Sequence, residues 1–371
     1  MHQPSVPLYS QIRQYILDQI ASGVWPSEYQ IPPERELAEQ FSVSRITAKN
    51  AVLRLVNEGY LYRHRGKGTF VSGSKPQSSP LLSPKPPELE SKRNSKLIGF
   101  VIPWMEMNYS TLLFGGLESA LGERGYHVVF KRIPTPEQES KAIRELLELP
   151  VAGLVVVSSQ GEHFNEDLVR LALDKYPLVL VEKAMRDVKT SGVYCDTERA
   201  GARLARFLAN RGLERIGLLA YPPTFTYGVK ERIFGFQAEL ARRGIPPLPD
   251  GRILIGSPDW LGPQGQSDNN RVPPEIYRYL ELNPDLQAIA AADALLARYV
   301  GIACRQAGRL GTVIVCFDAP YAHPGAVLPA AYIDQSPFDM GLHAAALIVD
   351  ALEGKSDARQ IVIEPKLVEV G

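Results

Sequence analysis

Apolar residues recur every four positions at the start of the chain, where Leu8, Ile12, Ile16 and Ile20 line one side of a helix that ends near Gly23. A second helix is predicted over PERELAEQF, with Pro33 in the first turn, where its missing N–H has no intrahelical partner to lose. The stretch VSRITAKNAVLRL, residues 43 to 55, predicts a third helix directly afterwards. Ala48, Ala51, Val52, Leu55 and Val56 share its apolar face, and Asn57, Glu58 and Gly59 stop it. Then YLYRHRGKGTFV reads as two short strands around Gly66 and Gly68. Three helices and a cationic hairpin describe a winged helix-turn-helix, an α+β unit over residues 1 to 71.

The pattern then changes twice. Residues 72 to 96 are dense in Ser and Pro and carry no apolar period, so they read as a linker. Pro76, Pro80, Pro84, Pro86 and Pro87 bias it toward extended conformations. From residue 97 to 371 strand-like and helix-like segments alternate. The strand-like runs are LIGFVI (97–102), HVVF (127–130), GLVVV (153–157), LVLVE (178–182), RIGLLA (215–220), RILIG (252–256), AIAAA (288–292) and VIVCF (313–317). Their apolar stretches are continuous rather than alternating, which predicts buried parallel strands in repeated βαβ units. The segment is long for one doubly wound sheet, so the expected fold class is α/β with two lobes, parallel sheets and a cleft between them. The polar segment at 257–274 looks like an inserted loop.

Composition narrows the function. The chain has 371 residues, 45% hydrophobic and 22% charged, with 41 basic against 41 acidic residues. That suits folded domains and excludes a polycation, so any affinity for nucleic acid must come from a local patch. Such a patch exists: Arg45, Lys49, Arg54, Arg63, Arg65, Lys67 and Lys75 fall between Ser44 and Lys75 with Glu58 as the only acid. Two of these cations sit at the start of the third helix, where the macrodipole already places positive charge, so they do not serve helix stability. A phosphate-rich partner resolves the conflict.

Cys195, Cys304 and Cys316 are far apart and show no CxxC spacing, so neither a zinc site nor a disulfide framework is suggested. With no apolar signal segment in MHQPSVPLYSQIRQ and no run near the roughly 18 apolar residues of a membrane span, a cytoplasmic protein without membrane contact is expected. GKGTFV lacks the last glycine of a dinucleotide fingerprint, having Val71 there, and a strand follows it. Gly354, Lys355 and Ser356 end like a phosphate loop, but Val349 holds the place of its first glycine. No G-x-S-x-G or H-E-x-x-H motif occurs, and no cofactor or metal is called for.

At PLYSQIRQYILDQIASG, IPPERELAEQFSVSR and GKGTFV the small unit resembles the GntR family of bacterial transcription regulators. It departs from that family at Pro33, usually a Ser cap, and at Ser27, usually Gly. The resemblance implies that Arg35, Ser44, Arg45, Thr47 and Lys49 contact DNA, with Gly66, Lys67 and Gly68 in the wing. Chemistry agrees: an arginine at a helix start in the major groove can bond guanine O6 and N7 together, while Ser, Thr and Lys hold phosphates. The large unit resembles the LacI family of sugar-responsive repressors and the periplasmic sugar-binding proteins, at KLIGFVIP, LESALGERGYHVVF, CDTERAGARLARFLANRGLERIGLLA, ERIFGFQAELARRGI, AADALLARYVGIACRQAG, VIVCFD and IDQSPFDMGLHAA. By that resemblance Asp196, Arg232, Asp293, Asp318 and Gln335 fall at effector-contact positions, and Trp104 is a candidate stacking platform. Carboxylates accept sugar hydroxyls and a guanidinium donates to ring oxygens.

Three of them carry a plainer reading, and Trp104 could equally be packing. Asp196 fits a helix cap, Asp318 a turn after its strand and Arg232 a surface ion pair. Ala292 stands where the family usually has Asn. The combined order resembles arabinose-type repressors, which implies a homodimer that binds a palindromic operator and is released by a small sugar closing the cleft between Arg232 and Asp293 from opposite lobes. Alternatives are a nucleoside or amino-acid-derived effector, an aminotransferase-like enzyme fusion, for which no matching lysine context is found, and a transport-type binding protein.

Overall fold

The computed structural model describes residues 8–41, 43, 48–49, 51–52, 55–56, 59–64, 67–72, 95–103, 107–133, 135–158, 164–185, 188–222, 228–257, 260, 271–320, 327–355 and 357–370. The chain divides into two compact units, Met1–Glu88 and Leu89–Gly371.

In the first unit α1 (Leu8–Ala21) and α2 (Glu34–Gln40) precede the hairpin of β1 (Leu61–His64) and β2 (Gly68–Val71). Ala48, Lys49, Ala51, Val52, Leu55 and Val56 are α-helical between them. Ile12, Ile16, Trp25, Leu37, Ala48, Ala51, Val52, Leu55, Leu61 and Val71 form one buried core, the face that the apolar spacing anticipates. Pro33 differs from its expected place: with ψ at 151° it is the cap residue before α2 rather than part of the first turn. A proline there donates nothing, and no side chain caps α2.

The second unit holds two six-stranded sheets. The first lobe contains β3 (Leu97–Pro103), α3 (Met107–Gly122), β4 (His127–Ile133), α4 (Glu139–Glu148), β5 (Val151–Val157), α5 (Glu166–Leu173), β6 (Leu178–Val181) and β7 (Ser191–Cys195). The second contains α6 (Thr197–Ala209), β8 (Ile216–Ala220), α7 (Val229–Arg242), β9 (Ile253–Ile255), α8 (Pro274–Leu282), β10 (Ala288–Ala291), α9 (Ala294–Gln306), β11 (Val313–Phe317) and β12 (Ala331–Asp334). The chain then returns: α10 (Pro337–Leu352) packs on α3 of the first lobe, β13 (Gln360–Ile363) joins β7, and β14 (Lys366–Glu369) pairs with β12. The strand orders are β13-β7-β6-β5-β3-β4 and β14-β12-β11-β10-β8-β9. Only the β12/β14 pair among them is antiparallel.

The chain therefore crosses between lobes at three places: after Cys195, after Asp334 and after Ile363. The first and third of these crossings are tied together. Asp196 N donates to Ile363 O at 3.2 Å, and Arg199 and Arg203 both pair with Glu364. Four strands, β7, β12, β13 and β14, lie outside the runs expected from sequence. Each is only four or five residues long and polar at one or more positions, so none presents a continuous apolar run. Within the segment read as an insertion, Trp260 is buried in the second lobe's core and its carbonyl accepts from the Tyr299 hydroxyl at 3.2 Å. Part of that loop is thus core.

Two helix pairs pack at glycines. A Cβ at Gly201 would lie 2.1 Å from Arg232 O, and one at Gly235 would lie 2.0 Å from Glu198 O, so α6 and α7 meet backbone to backbone. Gly116 and Gly341 do the same for α3 and α10, where a Cβ would come 2.0 Å from Phe338 O and 2.3 Å from Leu113 O. Both contacts fix helices whose first turns carry the residues of the cleft.

Candidate functional site

Of the residues expected to contact DNA, Arg35, Lys49, Lys67 and Gly68 are described, while Ser44, Arg45, Thr47 and Gly66 lie outside the described residues. Arg35 pairs with Glu39 one turn on at 3.1 Å, with the two side chains 76% and 67% exposed. A pair so open is screened and holds little of the fold together, leaving the guanidinium free to exchange partners. In the hairpin Gly68 has φ +128°, and a Cβ there would lie 2.6 Å from Gln30 Nε2, which donates to Lys67 O at 2.8 Å. The conformation calls for glycine, while the Gln30 amide at the end of a flexible side chain could move aside.

The second constellation lies where the carboxyl ends of both parallel sheets face each other, the usual ligand side of open α/β sheets. Arg232, in the first turn of α7, donates from Nη1 to Ala292 O at 3.0 Å and from Nη2 to Gln335 Oε1 at 3.3 Å. Its guanidinium lies 4.7 Å from the centre of the Phe317 ring, and its buried Nε finds no partner among the described residues. Gln335, 5% exposed at the second crossing, donates in turn to the Asp318 carboxylate. Burial pushes the Asp318 carboxyl above its usual range although Arg232 and Gln335 pull it down.

The first lobe answers with groups that the sequence reading did not single out. Glu182, directly after β6, is bonded to the Tyr109 hydroxyl and feels both Arg232 and Asp318. Burial raises its carboxyl too, and the Asp318 charge adds to that against the pull of Arg232. The Tyr109 oxygen also lies 3.4 Å from Met340 Sδ, and burial first, then the two carboxylates, push its hydroxyl well above the usual value. The Cys195 thiol is pushed up to about 12, chiefly by burial. One direct bond spans the lobes here, from Asn108 Nδ2 to Ala319 O at 3.3 Å.

Three of the five non-glycine residues with positive φ among the described residues sit in this cleft: Glu182 at 72°, Asp318 at 66° and Ser336 at 51°. Such strain persists only where surroundings over-determine it, and it gathers at functional sites. Its sequence signal is faint, a polar residue ending a buried strand.

The expected residues are therefore partly gathered. Arg232, Asp318 and Gln335 form one bonded chain. Asp196 lies at the first crossing and caps α6 through Arg199 N at 2.9 Å. Asp293 caps α9 through Leu296 N at 2.7 Å and stands beside Tyr221. Trp104 lies outside the described residues. One expectation is corrected: Arg232 and Asp293 do not face each other from opposite lobes, since α7 and β10 both belong to the second lobe. The opposing groups are Glu182 and Tyr109. Nor is Arg232 a surface ion-pair residue, because its bonds run to a carbonyl and an amide.

No helix among the described residues is long and apolar enough to cross a membrane, and no cluster of His, Cys, Asp and Glu among them is arranged to hold a metal ion. Residues 95–314, more than half of the chain, match the periplasmic binding proteins and sugar binding domain of the LacI family. The chain belongs to that family. Ahead of its LacI-type unit, residues 8–71 match the bacterial regulatory proteins of the gntR family, so the protein is a transcription regulator of hybrid GntR–LacI type rather than an enzyme. It is 25% identical over 374 aligned residues to the arabinose metabolism transcriptional repressor of Halalkalibacterium halodurans, covering 97% of this chain and 95% of that one. Against the arabinose metabolism transcriptional repressor of Geobacillus stearothermophilus it is 30% identical over 220 residues, which span 58% of this chain and 57% of the relative. Among solved structures, a transcriptional regulator CelR–cellobiose complex superposes with a TM-score of 0.65 at 18% identity, covering 100% of both chains. A regulatory protein of LacI family from Chloroflexus aggregans gives 0.62 at 20% identity over 74% of this chain and 98% of that one. These two likenesses concern the fold.

Proposed function

We propose that this regulator is a repressor that acts in the bacterial cytoplasm as a homodimer on a near-palindromic operator and lets go when a small neutral sugar closes the cleft of the LacI-type unit. The reading takes residues 1–71 as the reader, 72–96 as a linker and 97–371 as the effector-binding and dimerisation unit. Arg35, Ser44, Arg45, Thr47, Lys49, Gly66, Lys67 and Gly68 meet DNA. Arg232, Asp318, Gln335, Asp293, Asp196 and Trp104 meet the effector, and Glu182 and Tyr109 join them from the first lobe.

The observation that carries the proposal is the chain from Asp318 through Gln335 to Arg232, set opposite Glu182 and Tyr109 on the other lobe. A polyol can donate hydroxyls to both carboxylates and accept from the guanidinium, replacing carboxylate repulsion by charge-assisted hydrogen bonds. A phosphate or sugar acid would add a negative charge beside two carboxyls whose ionised forms are already disfavoured. Because these groups lie on both lobes and at a crossing, a ligand that touches all of them prefers one lobe arrangement, and that preference is the free energy available to act on DNA. The names of the two arabinose-repressor relatives make arabinose the first probe.

The test is a thermal-shift panel of arabinose, ribose, cellobiose, a sugar phosphate and nucleosides, followed by operator binding with each compound that scores. A ligand at 100 times its dissociation constant adds about 2.7 kcal/mol of stability. A neutral sugar that stabilises the protein and weakens operator binding supports the proposal. Stabilisation by the phosphate or by nucleosides alone would sink it.

A further inference from the structure

The cleft uses Glu182 and leaves the next residue unexplained. Lys183 is 2% exposed, a rare position for a lysine, and Glu139 beside it is fully buried. The ammonium lies 4.2 Å over the Phe164 ring, and Glu139 is its strongest attractive charge. Glu139, the first residue of α4, accepts from Asn165 Nδ2 and from Ser158 Oγ, the latter at 3.3 Å. Asn165 in turn caps α5 through Leu168 N at 2.8 Å. Lys183 is thus held by the starts of two helices, while Glu182 is bonded to Tyr109 of α3.

Between these two anchors the backbone at Glu182 takes φ +72°. A non-glycine residue leaves that conformation unless it is gripped on both sides. Stability does not account for the grip, because a buried ion pair is commonly no better for the fold than apolar side chains of similar volume. Geometry does account for it: past the end of β6 the left-handed turn sets Glu182 toward Tyr109 of α3 and Lys183 toward Phe164 and Glu139 at the starts of α5 and α4, so anchoring one fixes the direction of the other.

We propose that Lys183 is a positioning residue for the effector: seated between Phe164 and Glu139, it holds the left-handed turn that presents the Glu182 carboxylate to Tyr109 and Arg232. This rests on the reading that Glu182 faces the effector. Lys183 itself touches no ligand. Its ammonium lies against Phe164 and near Glu139, away from Tyr109, and its effect travels through one peptide unit.

The experiment uses the full chain with operator DNA and L-arabinose. Lys183→Met alone leaves Glu139 buried without its cation and can unfold the lobe, so the informative variant is Lys183→Met with Glu139→Gln, which keeps the hydrogen bonds to Asn165 and Ser158. Its operator affinity without sugar should match wild type, while its affinity for L-arabinose should fall by about tenfold to a hundredfold, the scale of a misplaced contact group. Lys183→Arg, which keeps the positive charge beside Glu139 and Phe164, should recover most of that loss. A crystal structure of the double variant should show Glu182 out of the left-handed region and parted from Tyr109. Wild-type sugar affinity, or a Glu182 that keeps its φ and its bond to Tyr109, overturns the proposal. A parallel fall in melting temperature, operator binding and sugar binding also overturns it, since that is what a merely structural role would do. Glu182→Gln separates the two layers: if it binds L-arabinose like wild type, the reading of the cleft fails whatever Lys183 does. Should L-arabinose not bind wild type, the position of Glu182 in the double-variant structure decides the proposal alone.

Discussion

In the reader, Arg35 and Glu39 pair with side chains 76% and 67% exposed, whereas in the LacI-type unit Glu139 and Lys183 are 0% and 2% exposed. The first pair contributes on the order of 0–1 kcal/mol and can be given up to a phosphate. The second two attract each other as buried charges, and removing either leaves the other without its nearest opposite charge, which costs on the order of 3–5 kcal/mol. Charges that meet a macromolecule stay in water until it arrives, and the fold hardly depends on them. On the proposed reading the carboxylates that meet a small molecule are desolvated in advance, so the fold must hold them; at Glu182 and Asp318 it does so with left-handed backbone, and at Glu182 with Lys183 and Glu139 buried beside it.

The sharpest way to break this contrast is Arg232→Ala. It removes the donor to Ala292 O and Gln335 from the cleft while leaving the reader untouched. We expect a protein that folds, dimerises and binds operator but has lost its effector response, worth about 1 to 3 kcal/mol or some 5- to 150-fold in operator affinity. Operator titrations with and without sugar measure it. A full response would remove Arg232 from the site, and lost operator binding without sugar would make the arginine structural.

Next comes Arg45→Ala, the counterpart in the reader. Specific operator affinity should fall by about 1 to 3 kcal/mol with little change in melting temperature, and binding to random duplex should fall less. Equal losses on both duplexes would mean that Arg45 touches phosphate only.

Gly201→Ala asks whether the helix contact behind Arg232 is as tight as the backbone indicates. The new Cβ would meet Arg232 O at 2.1 Å, so α6 and α7 must part. Overpacking of this kind costs about 1–3 kcal/mol, and calorimetry should place the loss in the LacI-type transition while the reader melts as before. Unchanged melting would show that the helices separate freely.

The smallest effect expected is from Asp318→Asn. Its carboxyl sits above the unfolded value in the folded protein, so wild type loses stability as pH rises from the ordinary carboxylate range through the raised one. The amide carries no such penalty. The variant should therefore melt above wild type at alkaline pH, with the gap closing as pH falls into the ordinary carboxylate range, while binding sugar less well. A gap that widens on acidification would reverse the assigned direction.

Local pattern carries the elements a long way here, and the limits follow from particular residues. The four-residue period of Leu8, Ile12, Ile16 and Ile20 gives α1 because a helix repeats its own face, and VAGLVVV gives β5 because every one of its positions is buried. Arg232, Asp318 and Gln335 are legible through a resemblance that preserves order along the chain. Glu182 is not, since it looks like the polar end of a strand, and Tyr109 looks like one more residue of an apolar helix.

The sequence by itself determined the division into a cationic helical reader and an α/β unit, the extent of most buried strands and the placing of polar residues at their carboxyl ends. These depend on neighbours a few positions away, where periodicity and turn chemistry act. Tertiary structure decided which of those polar ends meet. It placed Arg232 and Asp293 on the same lobe, set Glu182 across from Arg232, and brought residues 196, 335 and 364 to three crossings between the lobes. It also recruited β13 and β14, too short and polar to announce themselves, to the edges of two different sheets. The physical reason is that a strand end carries no information about the sheet it will face. That is set by how the whole chain crosses and recrosses, and by the two glycine-lined helix contacts that fix the lobes' inner helices.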